Sequence, residues 1–115
     1  MLGVLTRSRR QRQAALAVQA DGALVAQVRD IQRQLQNVSD RELKDRADDL
    51  RGEFELSQRC SNEALARAFA LIGCAAQRTL DISFYDVQFQ AGLALVRGQV
   101  AEMQTGEGKT FAAAF

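Results

Sequence analysis

At 115 residues, 47% hydrophobic and 25% charged, the chain has the composition of one ordinary globular domain or part of one. It contains no histidine, which excludes Ser-His-Asp and Cys-His nucleophile arrangements and every histidine-ligated metal site. A formal net charge of +1 argues against a general nucleic-acid binder.

The first segment, residues 1–12, places Leu2, Val4 and Leu5 before Arg7, Arg9, Arg10 and Arg12, the reverse of a secretory signal. Two readings stand side by side: a short interfacial anchor with its apolar residues in lipid and four arginines on anionic headgroups, or a solvated basic terminus. No apolar stretch approaches the roughly 20 residues that span a bilayer.

From about Gln13 to Asn37 the spacing predicts a long helix, with Leu24, Val28, Ile31, Leu35 and Val38 on one stripe and Gly22 as a weak point near its beginning. So short a run of heptad spacing fits a helix packed along its own domain better than a free coiled coil, which needs about three to four heptads. Ser39-Asp40-Arg41-Glu42 is a capping box, so a second helix begins at Asp40. Its apolar stripe is Leu43, Ala47, Leu50 and Phe54, and its interleaved acids and bases read as a solvated face laced with i,i+3 and i,i+4 pairs.

Ser57 to Ser61 reads as a linker, with Ser61 or Asn62 capping a third helix that runs to about Leu80 and carries Leu65, Phe69, Ile72 and Ala76 on one side. Cys60 and Cys74, fourteen residues apart, match neither a CxxC redox pair nor half of a four-ligand zinc site, and Cys74 sits where cysteine packs as a small hydrophobe. Tyr85 to Val96 is a fourth, more buried helix, capped by Ser83 or Asp86 and softened at Gly92.

Gln99 to Met103 reads as a short buried strand, and Thr110 to Phe115 as an apolar helix start. Between them, Ala101 to Thr110 spells a phosphate-binding loop. Such a loop curls successive backbone N–H groups around an anion, and Gly106 and Gly108 supply the positive φ and close approach it needs. Glu107 lies between them and would contribute its backbone to the same cradle. Lys109 reaches the β/γ-phosphates as a point charge, and the Thr110 hydroxyl can bind Mg²⁺ carried by the nucleotide. Met103 stands where the common spelling has glycine, so the match is to the shorter TGxGKT form of helicase-like motors. The fold class expected is mainly α, about four helices leading into one strand and a phosphate loop.

Taken together, Ser39-Asp40-Arg41-Glu42-Leu43-Lys44, Ala68-Phe69-Ala70, Phe84-Tyr85-Asp86-Val87-Gln88 and Ala101 to Thr110 resemble the amino-terminal part of the SecA family, ATPases of bacterial preprotein translocation. The resemblance covers roughly residues 24 to 115. It implies three parts: a basic segment 1–12, a helical part 13–82, and residues 83–115 as a Q-motif-like helix, the first strand and the phosphate loop of a RecA-like α/β motor domain, incomplete here. It implies ATP and Mg²⁺ as cofactors, with Lys109 and Thr110 in the catalytic apparatus. It also implies preproteins, a SecYEG-type membrane channel and an acidic phospholipid surface as partners, no nucleic acid, and a location in the cytoplasm and peripherally on the cytoplasmic face of the membrane, where a homodimer is allowed.

Gln88, 21 residues before Lys109, stands where the related motors place a glutamine that contacts adenine. An amide offers one acceptor and two donors, a set that pairs with the N6 and N7 edge of adenine and mispairs with guanine. Two departures stand out: Ser83-Phe84-Tyr85 where the family usually has Arg-His-Phe or Arg-His-Tyr, and Gly73-Cys74 in place of an Arg-Glu pair. Both imply weaker polar contacts around the nucleotide. The chain stops at Phe115, before the acidic Mg²⁺ motif and the second motor domain, so the 115 residues alone are expected to be inactive. Two other readings are a truncated, non-hydrolysing helical module that binds a partner, and a nucleic-acid helicase of the same superfamily. The latter fits the loop and Gln88 but not the near-neutral charge.

The two readings of residues 1–12 make opposite claims about lipid charge. An anchor binds vesicles containing anionic lipid, loses them in high salt and is abolished by deleting the segment, since each basic residue near such a surface contributes about 1 kcal/mol. Co-sedimentation with and without residues 1–12, at low and high salt, checks this; binding that survives either change excludes the anchor.

Overall fold

The structure, a computed structural model, describes residues 21–57 and 60–115. Residues 1–12 and the first part of the helix expected from Gln13 lie outside the described residues. Four helices follow in order, α1 (residues 21–35), α2 (Asp40–Leu56), α3 (Asn62–Leu80) and α4 (Asp86–Val96), and a single turn, α5 (Lys109–Ala112), comes after the glycine-rich loop. The protein is mostly helical, as its periodicity predicts.

The helix starts are set locally. The Ser39 hydroxyl accepts the N–H of Glu42 at 3.1 Å, and Ser61 does the same for Ala64 at 3.1 Å, which satisfies one orphan donor of α2 and one of α3. The Glu42 carboxylate does not complete a capping box; it pairs with Arg46 one turn on, at 2.6 Å. Helix α3 ends on Asp81 in the left-handed conformation (φ 54°), and the Ile82 N–H reaches back to the Ala76 carbonyl at 3.4 Å.

Polar pairs between helices fix their directions. Arg67 on α3 holds Glu53 near the end of α2, while Arg78 at the end of α3 holds Asp40 at the start of α2, so the two run antiparallel. Arg29 on α1 pairs with Asp86 at the start of α4, and Asp21, the first described residue of α1, pairs with Arg97 beyond the end of α4, so these too are antiparallel. Arg78 also donates to the Leu35 and Val38 carbonyls, at 2.9 and 2.8 Å, closing the exposed end of α1. The result is an up-down-up-down arrangement around one core: Leu24, Val25, Val28 and Leu35 from α1, Leu43 from α2, Leu65, Phe69 and Cys74 from α3, Phe89 and Leu93 from α4. On α2, Leu43 and Leu50 are buried and Phe54 is half-buried, whereas Ala47, the shortest side chain of the expected stripe, stays exposed.

The expected strand at Gln99 to Met103 is not formed. Gly98 turns the chain at φ 71°, the Gln99 N–H returns to the Ala94 carbonyl at 2.8 Å, and Val100 is 96% exposed rather than buried. A strand needs a ladder partner, and the described residues hold no second extended segment to supply one. The helix expected from Thr110 to Phe115 is likewise a single turn, ending at Ala112.

Gly92 has a packing role rather than a softening one. A Cβ there would lie 2.9 Å from the Phe115 Cβ and 3.0 Å from its ring, so the missing side chain admits Phe115 to the core. Phe115 in turn stands 4.5, 4.6 and 5.1 Å, centroid to centroid, from Phe69, Phe84 and Phe89. Gly92→Ala is therefore expected to destabilise the fold despite its better helix propensity, whereas in a Phe115→Gly background, which removes both the Cβ and the ring it would meet, the same change stabilises by about 1 kcal/mol. Urea unfolding of the four proteins of this cycle measures it, and the same sign in both backgrounds would disprove the role assigned to Gly92.

Candidate nucleotide site

The segment from Gln104 to Thr110 is held by its own polar groups. The Gln104 N–H donates to the Glu107 carboxylate at 2.7 Å, and the Glu107 N–H returns to the Gln104 carbonyl at 3.3 Å. Glu107 thus fastens the turn with its side chain, a role its expected backbone contribution did not include. Gly106 and Gly108 both take positive φ, 90° and 76°, the conformation the sequence assigned to them. Lys109 and Thr110 open α5 with exposed side chains, at the end where the first N–H groups of a helix point outward.

Gln88 is the buried polar side chain beside this loop, 3% exposed, in the first turn of α4. Its Oε1 accepts the Tyr85 N–H at 2.7 Å, capping α4 from inside the helix, where the sequence had suggested Ser83 or Asp86. Its Nε2 donates to the Gly108 carbonyl at 3.2 Å. That carbonyl also accepts from Phe111 and Ala112, so one oxygen ties the loop, α5 and α4 together. Gly108 meets two constraints at once, because its φ disfavours any side chain and a Cβ would run into the Gln88 amide. Gly106 meets only the first: a Cβ there would face open space.

All six residues expected at the site are close in the chain or in space, and the structure joins Gln88 directly to Gly108. The residue missed by sequence reasoning is Arg29. Its guanidinium donates to Asp86 Oδ1 from Nε at 2.9 Å and from Nη2 at 2.7 Å, to the Phe84 carbonyl at 2.6 Å and to Gln32 Oε1 at 3.1 Å, and it lies 4.7 Å from the centre of the Phe89 ring. The only sequence signal was an arginine next to the buried stripe residue Val28; nothing marked its partners more than 50 residues away. Gly73 makes room for the arrangement, since a Cβ there would collide with the Gln32 amide.

On the other side of Gln32, the Cys74 thiol faces the Gln32 carbonyl at 3.9 Å. Burial pushes this thiol above its ordinary range, with the Arg78 charge pulling part of the way back, so it is protonated at neutral pH and packs as a small apolar group. Cys60 is exposed and its thiol is also raised, by partial burial and by the Glu53 carboxylate.

With the geometry in view, the comparisons with known proteins agree with one another. The SecA DEAD-like domain matches residues 5–115. The protein translocase subunit SecA of Olisthodiscus luteus is 44% identical over 90 residues, 78% of this chain and 10% of that relative. The SecA subunit of Campylobacter lari is 37% identical over 89 residues (77% and 10%), and that of Gloeothece citriformis 38% over 94 residues (76% and 10%). No solved structure matches the chain. The chain belongs to the SecA DEAD-like domain family and represents the amino-terminal part of a SecA-type protein translocase. It spans about a tenth of the length of these curated relatives. Among the described residues no helix is long and apolar enough to cross a membrane.

The two glycines predict different costs. Gly106→Ala is expected to lose only the backbone term, about 1–2 kcal/mol. Gly108→Ala should lose more because its methyl also displaces Gln88, and adding Gln88→Ala should recover that excess. Thermal unfolding of the three variants checks this, and equal losses at the two glycines would show that Gln88 does not press on Gly108.

Proposed function

We propose that residues 83–115 are the ATP-entry segment of a RecA-like motor, and that the whole protein couples ATP hydrolysis to movement of preproteins through a SecYEG-type channel at the cytoplasmic face of the bacterial membrane. The observation that carries the reading is the joint placement of a glycine loop with two positive-φ residues, an exposed Lys109–Thr110 pair and a buried glutamine bonded to the same loop. The set fits a nucleoside triphosphate. Gly106 leaves the space above its Cα open, so backbone can approach a phosphate there. Lys109 would hold the β/γ-phosphates and Thr110 the Mg²⁺ that accompanies them, which together neutralise charge that develops on the transferred phosphoryl group.

Gln88 suits adenine for a countable reason. Each of its amide atoms makes one bond within the protein, which leaves Oε1 one lone pair and Nε2 one N–H, complementary to the N6 and N7 edge of adenine; with the side chain 3% exposed, a base would reach them only where the adjoining loop gives way. The internal bonds would hold the amide plane in place before the base arrives. Tyr85, 70% exposed at the start of α4, adds an aromatic face beside it. The apolar run Leu95, Val96 and Val100, exposed here, is the surface that the sheet of a complete motor would cover.

In the full-length protein Lys109→Ala should abolish ATP hydrolysis with the helical circular dichroism unchanged, and Gln88→Ala should shrink the preference for ATP over GTP by about 1–3 kcal/mol. Turnover near the unsubstituted rate in the first variant excludes the phosphate-loop assignment. Equal weakening of both nucleotides in the second excludes base reading by Gln88.

A further inference from the structure

We propose that Arg29, on α1, is a positioning residue for base recognition, and that α1 is thereby part of the nucleotide site. The inference rests on the reading of Gln88 given above. One guanidinium grips the three-residue entry to α4 at both ends: the Phe84 carbonyl at 2.6 Å and the Asp86 carboxylate at 2.7 and 2.9 Å. Tyr85, the residue between them, gives its N–H to Gln88 Oε1. The backbone that orients the Gln88 amide is therefore fixed from α1, through a side chain that itself has little freedom. Its far edge is held by Gln32, its face rests on Phe89, and two-thirds of it is removed from solvent. A planar guanidinium can serve carbonyl, carboxylate and amide simultaneously, whereas a lysine ammonium in the same place can hold the carboxylate but not span all three.

Phosphate binding and base reading then use different groups. No hydrogen bond or ion pair joins Gly106, Lys109 or Thr110 to Arg29 or Asp86, and the two halves are linked by the Gln88–Gly108 bond and by the Phe84 ring, which meets Phe111 and Phe115. Loss of the Arg29 grip should release the entry to α4, tilt the Gln88 amide and cost base discrimination, while leaving the phosphate end as it was.

The test uses the full-length protein with Arg29→Lys, Asp86→Asn and, as reference, Gln88→Ala. Equilibrium affinity is measured for ATP, GTP and inorganic tripolyphosphate, which has no base. Asp86→Asn removes one exposed charge and keeps the shape, so it reports even where the Arg29 variant fails to fold. Expected is a fall in the ATP-over-GTP ratio of about ten- to a hundredfold in both variants, toward that of Gln88→Ala, with tripolyphosphate affinity unchanged. A ratio that stays at the unsubstituted value while Gln88→Ala collapses it overturns the role of Arg29 and leaves base reading intact. Equal loss for all three ligands reduces Arg29 to a structural residue and also overturns the proposal. If Gln88→Ala itself leaves the ratio unchanged, base reading fails, and the role of Arg29 falls with it.

Discussion

The Phe89 ring is where the helices and the loop meet. It is fully buried, 6.3 Å from Phe69, 5.8 Å from Phe84 and 5.1 Å from Phe115, with the Arg29 guanidinium on its face. These partners come from α3, from the entry to α4, from the segment beyond α5 and from α1. Aromatic pairs at such separations contribute about 0.5–1.5 kcal/mol each beyond the area they bury, so the cluster is a large fraction of what a small helical core can supply. Its consequence is positional as well as energetic. Phe111 and Phe115 bracket the end of α5 and both reach Phe84, so the glycine loop is suspended between the core and Gln88 rather than attached at one end.

Burying Gln88 is costly unless its amide is satisfied, and this explains why the glutamine bonds to backbone at both atoms. The two bonds have different reach. The one to Tyr85 is a helix cap and would form in any α4 with this sequence. The one to Gly108 spans 20 residues and exists only because Gly92 admits Phe115 and so brings the loop back over the first turn of α4. A glycine in the middle of one helix thus permits a bond made by a glutamine at its beginning.

What the sequence made legible is local. Ser39 and Ser61 cap as their spacing says, the stripes Leu24–Val28–Leu35, Leu43–Leu50 and Leu65–Phe69 face the core, and Gly106 and Gly108 take the positive φ that the loop spelling requires. The illegible features depend on partners far along the chain. A short apolar run such as Gln99 to Met103 satisfies the pattern of a buried strand, but the pattern carries no information about a neighbouring strand, and without one Val100 is left in solvent. Gly92 reads as a weak point because propensity counts its own helix and not the ring packed against it. Arg29 reads as a charge on a helix surface, because its partners Phe84 and Asp86 lie 55 and 57 residues away, a tertiary proximity that no periodicity encodes.

The pair Gly73-Cys74 shows how a sequence departure changes meaning in three dimensions. Next to the family pattern it looked like the loss of an Arg-Glu pair and of polar contacts near the nucleotide. In the structure the bare Gly73 Cα lets the Gln32 amide lie against α3, and Gln32 is one of the groups that hold Arg29 over Phe89. The arginine that reaches the entry to α4 comes from α1. Arg29 can fix that backbone provided the helix that carries it is itself fixed; the Asp21–Arg97 pair and the Arg78 bonds to the last carbonyls of α1 do that. A cleft of about 460 Å³ lies between α1 and α3, walled by Arg29, Gln32, Cys74, Gln77 and Arg78. It lies beside the entry to α4, rather than at the loop, because the small residues Gly73 and Cys74 are on α3 and Arg29 leans across from α1 toward Asp86.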